Sequence, residues 1–428
     1  MSYKKRVREA IAEIEDKLIE REELIRLCFL CIFSKQHMFL IGTPGVGKTY
    51  AIQIISKVIS DGSYWEKLLS KETLEKDLIG REDTPREETL LAHHFIFLDE
   101  MFKATDDLLV SLLSFLNERY YTIKGKAVPV PLYTLFSASN ELPFGEKIEP
   151  FSDRLLIWFE VNRIQKKENK ERFIRGAFNK DKSIKNTFLL SDIEDVCKRA
   201  KAVAIPDEIS DTYFQIQDSL IRSGIKASDR KFGSDYVIKA LRVSAVLNDR
   251  EALDFSDLLF VRHMSWTNYL ERNKLAEVVD NVIFGDREKI ESSLIKVNEF
   301  FSKKNSSFDR SCFKFINYQL QISDRETYKE NIDLCSLFLK DMGLARSELN
   351  KTINQYNKFL QIKKQEKENI LLCPSMFSPF TQESIELMNA TLVSVDFQIK
   401  KVQDFIDANP DLYAYQRNQN QKGVKTNA

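Results

Sequence analysis

Cysteine is scarce in this chain. Six thiols in 428 residues, at positions 28, 31, 197, 312, 335 and 373, are too few and too unevenly spaced for a disulfide framework. Glycine (13) and proline (10) are also sparse, which excludes collagenous and mucin-like chains. Neither charge sign is in excess, since 64 Lys and Arg balance 64 Asp and Glu; no polyanion-binding field dominates, and nucleic acid is not the expected partner. The one dense apolar run, Leu24 to Phe33, is interrupted by Arg26 and too short to cross a bilayer, and the charged stretch Met1 to Glu13 lacks the apolar core of a secretory leader. The expectation is a cytoplasmic protein with no membrane span.

With 43% apolar and 30% charged residues, the chain reads as globular and helix-leaning, with room for about three domains at ~150 residues each. Cys28 and Cys31 form a C-x-x-C inside the apolar helical run, without a second pair or a histidine to complete a zinc site, so buried thiols are expected. Val7, Ile11, Ile14 and Leu18 recur at helical spacing. From His37 to Val161, strand-like runs (Met38 to Ile41, Phe95 to Leu98, Tyr133 to Ala138, Leu155 to Val161) alternate with helical ones (Lys48 to Ser60, and a helix capped by Thr105). Such alternation predicts a parallel sheet with crossover helices.

The expected divisions are an α/β domain over 1–165, a helical domain over 166–275 and a mainly helical C-terminal region over 276–428. Within the last, alternation from Asp309 to Ile322 suggests a small mixed insert at about 300–344. Patterns from Arg346 to Leu372 and Gln382 to Ala408 predict a projecting helical hairpin, with Tyr356, Phe359 and Leu360 packed between its helices. Lys363, Lys364 and Lys367 make a basic face, either a solvated surface or a contact for a partner or nucleic acid, and the polar tail 416–428 is expected to be disordered.

Gly42-Thr43-Pro44-Gly45-Val46-Gly47-Lys48-Thr49, followed by Tyr50, matches the P-loop pattern and lies between an apolar strand and a helix. Glycines let backbone N–H groups close around phosphates, Lys48 reaches the β and γ phosphates, and Thr49 ligates magnesium. Phe95-Ile96-Phe97-Leu98-Asp99-Glu100 then delivers two carboxylates to a strand end. Asp99 would hold magnesium, and Glu100 would polarise the attacking water, which implies hydrolysis beyond mere binding. Ser137-Ala138-Ser139-Asn140 ends the next strand; Asn140 would orient that water or simply form a turn. Arg154, after Asp153, cannot easily fold back onto its own phosphates and suits a neighbour's site.

The order of P-loop, Leu-Asp-Glu, Ser-Asn and Asp-Arg resembles an AAA+ ATPase. Leu18-Ile19-Glu20-Arg21, Ile25-Arg26-Leu27-Cys28, Leu98-Asp99-Glu100-Met101-Phe102-Lys103-Ala104, Leu116-Asn117-Glu118-Arg119 and Ala138-Ser139-Asn140-Glu141-Leu142-Pro143 are similar to the MoxR branch, closest to its RavA subfamily. The resemblance implies an AAA+ sheet domain with a helical lid and a magnesium-dependent ATPase working as a hexameric ring on a protein client, with a von Willebrand factor A-domain partner. It also implies Asn140 as sensor 1, Arg154 as an arginine finger inserted into the adjacent subunit, and Arg230 of Ser228-Asp229-Arg230 as sensor 2 on its own γ-phosphate, or merely solvating a helix end. Arg119 is a further subunit-contact candidate or a solvated helix end.

Only 14 residues, Arg81 to His94, separate Gly80 from the acid-bearing strand, fewer than the branch uses for a loop and hairpin facing the pore. His93 and His94 there lack further ligands. Two other functions stay open: an ATP- or GTP-using engine of a nucleic-acid-directed or antiviral system, and a nucleotide-gated scaffold.

Overall fold

The computed structural model describes residues 2–285 except 82, 124–125, 143–148, 178–180, 265 and 267, and further on 347, 358, 361–376, 390, 393, 396, 397 and 400. The mixed insert, the residues Tyr356, Phe359 and Leu360, most of the second hairpin helix and the tail lie outside the described residues. The chain divides into one unit of Met1–Ile283 with Ile362–Phe377 and a second of Phe284–Gln361 with Ser378–Ala428.

In the first unit α1 (Tyr3–Glu15) and α2 (Glu22–Ser34) precede β1 (His37–Ile41), α3 (Lys48–Ile55), β2 (Tyr64–Leu68), α4 (Lys76–Ile79), β3 (Phe95–Asp99) and α5 (Asp106–Glu118). The hairpin β4 (Tyr120–Ile123) and β5 (Lys126–Pro129) leads to β6 (Thr134–Ser139), α6 (Glu149–Ser152) and β7 (Leu155–Glu160). Helices α7 (Lys167–Ile174), α8 (Leu190–Ala200), α9 (Asp207–Arg222), α10 (Asp229–Phe232), α11 (Val237–Leu247), α12 (Phe255–Leu258) and α13 (Tyr269–Phe284) follow.

Five strands form one sheet in the order β2-β3-β6-β1-β7, every neighbouring pair parallel. β1, β3 and β6 are buried almost throughout because both sheet faces are covered. β2 escapes a reading by apolar pattern: Tyr64-Trp65-Glu66-Lys67-Leu68 is a half-exposed edge strand, and edges carry charge to discourage further pairing. The helix expected to run to Ser60 stops at Ile55 and tightens into a 3-10 turn over Ser56–Val58. Thr105 caps α5 as expected, accepting from Leu108 N, with Asp106 and Asp107 in the first turn.

Cys28 and Cys31 are fully buried on α2, where burial pushes both thiols up; they are packing residues. His94 Nδ1 lies 2.8 Å from Ser63 Oγ and His93 Nε2 lies 2.8 Å from Glu87 O, so each ring is engaged locally. Arg119 is not a solvated helix end: its guanidinium donates to the carbonyls of Leu132, Tyr133 and Lys35, and staples the end of α5 to the start of the sheet.

The first hairpin helix does not project along its whole length. Residues 361–368 are helical, and Asn369 is buried among polar partners on α11 and α12. It donates to Ser256 Oγ at 2.9 Å and accepts from Asn248 Nδ2 at 2.8 Å, while Asp257 holds Arg250 through two 2.7 Å bonds. Lys363 pairs with the buried Glu366 at 2.9 Å, so only Lys364 and Lys367 of the expected basic face are exposed.

Ser228 Oγ donates to Asp153 Oδ1 at 3.2 Å, and the buried Lys231 ammonium donates to Ser152 O. Burial pulls Lys231 down to about 8, with Asp153 opposing the shift. The folded chain thus binds fewer protons than the unfolded chain from about pH 8 to 10.5, so stability should rise with pH across that window and lose this increment as pH falls through 8. Lys231→Met should flatten the rise in denaturant melts taken across the window; a slope equal to wild type would contradict the assignment.

Candidate functional site

In a parallel sheet every strand presents its carboxyl end to the same edge, where ligands of α/β proteins collect. β1, β3 and β6 bring to that edge the glycine-rich turn 42–47, the pair Asp99 and Glu100, and Asn140. The turn is tied to the sheet by Gly42 N donating to Ser139 O at 3.2 Å. Gly45 and Gly47 have φ of +81° and +83° with no atom near a would-be Cβ, so they are required by backbone conformation alone. Gly42 is required by space: a Cβ there would lie 2.4 Å from Val161 O.

Lys48 opens α3, is buried, and donates from Nζ to Gly42 O at 2.6 Å and Asn140 Oδ1 at 2.8 Å. Burial lowers its pKa, while Asp99 and Glu100 pull it back up. Asn140 turns its amide nitrogen to Glu100 Oε1, so one side chain connects the lysine to the carboxylate. Glu100 is buried, adopts left-handed backbone (φ +54°, ψ +38°) and pairs with Lys103 at 3.3 Å. A non-glycine residue in that region costs ~1–3 kcal/mol and is retained where its surroundings over-determine it.

Thr49 Oγ1 lies 3.1 Å from Asp99 Oδ2. A hydroxyl beside one carboxylate fits magnesium, which takes hard oxygen donors and completes its shell with water and phosphate. Among the described residues no cluster of three or more His, Cys, Asp or Glu could hold a metal by itself. Tyr50 lies under the Lys182 ammonium, 4.9 Å from its ring centre.

Arg21 is missed by pattern reading. Buried, it donates to Val46 O at 2.8 Å and Asn162 O at 3.0 Å, clamping the glycine-rich turn to the segment after β7. Arg163 Nε reaches Thr43 Oγ1 at 3.4 Å. Arginine preceding an apolar helix is ordinary in sequence, and only the fold carries Arg21 to that carbonyl.

Arg154 lies at the opposite sheet edge. Leu155 pairs with His37 at the amino end of β1, and the five residues of β1 at about 3.3 Å each separate that edge from the glycine-rich turn by ~16 Å. The Arg154 guanidinium donates to Pro150 O; burial lowers its pKa, and the Arg230 charge lowers it further. Arg230 is therefore not brought to its own lysine, as sensor 2 on the same nucleotide would require. Ser228 and Lys231 anchor α10 at Asp153 and Ser152, so Arg230 sits beside Arg154, against Tyr236 Oη at 3.0 Å. Sequence order alone could not give that correction, because it depends on where α10 docks.

Residues 5–198 match the model of the MoxR domain in the MoxR-vWA-beta-propeller ternary systems, and residues 208–279 that of the AAA lid domain. The chain is 34% identical over 267 residues to the uncharacterised protein MJ0812 of Methanocaldococcus jannaschii, covering 59% of this chain and 69% of that one. It is 29% identical to MJ0079 of the same organism, covering 80% and 88%, and 26% identical to chaperone MoxR1 of Mycobacterium tuberculosis, covering 39% and 47%. A crystal structure from Cytophaga hutchinsonii superposes with a TM-score of 0.55 at 16% identity, over 67% of this chain and 95% of that one, which supports the AAA+ fold.

Steric and conformational requirements for glycine separate in the turn. Gly42→Ala, which meets a backbone oxygen, should cost more stability than Gly45→Ala, which bears only left-handed strain of ~1–2 kcal/mol. Equal losses in equilibrium unfolding would refute the distinction.

Proposed function

Because this chain belongs to the MoxR-type AAA+ ATPases, we propose that it hydrolyses ATP with magnesium in a hexameric ring and uses the cycle to remodel a protein client. The supporting observation is the separation of its charges: Lys48, Asn140 and Glu100 are linked at one sheet edge, while Arg154 and Arg230 occupy the other. Arg21 and Arg163 do reach the glycine-rich turn of their own subunit, but Arg154 and Arg230 are held away from it. A ring in which each subunit's arginine edge meets the next subunit's cradle completes every site.

In this reading the backbone of 42–47 and Lys48 hold the phosphates, and Thr49 and Asp99 would hold a magnesium ion, which would supply charge neutralisation for the phosphates. Glu100 accepts the proton of the attacking water. Asn140 orients that water and, through its bond to Lys48, senses the γ-phosphate. Arg154 stabilises the negative charge of the transition state in trans, an effect worth about 10³–10⁵ in rate, and Arg230 acts beside it on the same neighbour.

The proposed partner is a von Willebrand factor A-domain protein, and the description of the matched family adds a β-propeller chain to that assembly. The chaperone name of the mycobacterial relative supports remodelling over nucleic-acid translocation or a passive scaffold. The RavA-like layout and the domain divisions at 165 and 275 are part of the same proposal, as is a cytoplasmic location; among the described residues no helix is long and apolar enough to cross a membrane.

Complementation tests the shared site. Glu100→Gln and Arg154→Ala should each bind ATP yet hydrolyse it poorly. Mixing the two inactive proteins should restore activity, to about a quarter of wild type at equal proportions with random assembly, since one site in four then pairs Glu100 with Arg154. Mixtures no more active than their components would overturn the ring reading.

A further inference from the structure

Between α8 and α11, at the amino edge of the sheet, lies a pocket of about 550 Å³, within the usual range for small-molecule sites of ~300–1,000 Å³. Its walls carry six cations, Lys35, Arg119, Arg154, Lys201, Lys239 and Arg242, against only Glu194 and Asp235. Three cations already have partners: Lys35 pairs with Glu194 at 2.5 Å, Arg119 is bound to backbone carbonyls, and Arg154 donates to Pro150 O. Lys239 and Arg242 make no hydrogen bond or ion pair to any residue described, and the Arg242 Nε is buried without an acceptor. Burial lowers the pKa of Lys239, Cys197 opposes the shift, the charges of Arg119 and Lys35 add to it, and Asp235 opposes it. His37 beneath is driven down to about 3, by burial first and then by Arg119.

Lys239 and Arg242 are half-buried, and like charges gathered in one pocket repel one another unless an anion lies between them. We propose that this pocket is a binding site for a small polyphosphate anion, free or carried by a nucleotide, with Lys239 and Arg242 as its principal ligands. The site is distinct from the glycine-rich cradle, which lies across the sheet. It does not depend on the ring reading, although Arg154 borders it, so an anion there would compete for the guanidinium offered to a neighbour. Pyrophosphate is favoured over a carboxylate because several convergent cations match its multiple charges.

The test uses the full chain carrying Lys48→Ala, which removes binding at the cradle. Isothermal titration at fixed ionic strength should detect pyrophosphate binding at ~1 mM or tighter. Lys239→Met with Arg242→Met should weaken it at least about tenfold, because each loses a charge-assisted contact. Without ligand these substitutions should leave the melting temperature unchanged or raised, since they keep the apolar stems and remove uncompensated charge. ADP binding tighter than pyrophosphate would identify a nucleotide, and equal binding the pyrophosphate group alone. No binding to the Lys48→Ala chain, or binding indifferent to both methionines, would overturn the proposal. If the double variant folds poorly, Lys239→Gln alone carries the same comparison. A failure here leaves the complementation result untouched, because that experiment reads hydrolysis and this one reads anion binding where the cradle is disabled.

Discussion

The parallel alignment of β1 with β6 on one side and β7 on the other is the constraint on which the arrangement of charge depends. Parallel strands cannot be joined by a tight turn, so each must return across a face of the sheet and start again from the same edge. All carboxyl ends, with the glycine-rich turn, Asp99, Glu100 and Asn140, collect on one side. All amino ends, with Lys35, His37 and Arg154, collect on the other. The molecule is thereby polarised before any side chain is chosen, with a phosphate-sized cradle at one edge and unneutralised cations at the other.

Hydrogen bonds convert that polarity into a particular geometry. Asn140 is the one side chain bonded to both Lys48 and Glu100, so a change at the lysine must be felt at the carboxylate. Arg21 ties the turn to the chain emerging from β7, and Lys231 with Ser228 ties α10 to the residues just before Arg154. Helix α10 is thus fastened to the arginine-bearing edge. A second polar knot, Asn369 with Asn248, Ser256 and Asp257, holds the chain around Asn369 on α11 and α12. Each group in that knot needs its partners, because a buried amide left unpaired would cost ~1–3 kcal/mol.

Several elements were legible from local pattern for reasons that are themselves local. A turn that must adopt positive φ requires glycine, a buried strand must be apolar, and the positive end of a helix favours threonine and aspartate; hence β1, β3, the turn 42–47 and the cap of α5 could be read directly. Edge strand β2 and the hairpin β4-β5 could not, because half-exposed strands carry mixed residues without a clean period. Arg119 reads in sequence as a subunit contact or a solvated helix end, and Arg21 only as part of a family motif without a role, since nothing near them in the chain announces the carbonyls they bind.

The sequence by itself determined the chemistry available: which residues can cradle phosphate, hold a hard cation, accept a proton or offer a guanidinium, because these follow from residue type and from backbone preferences spanning a few positions. Tertiary structure alone decided which of them meet. Arg230 follows its own glycine-rich turn by more than 180 residues, yet it lies with Arg154 at the far edge because Lys231 and Ser228 dock α10 there. Lys239 and Arg242 become a pocket only when α11 packs against α8. Contacts of that range depend on packing and on the topology of the sheet, and neither is written in any short stretch of residues.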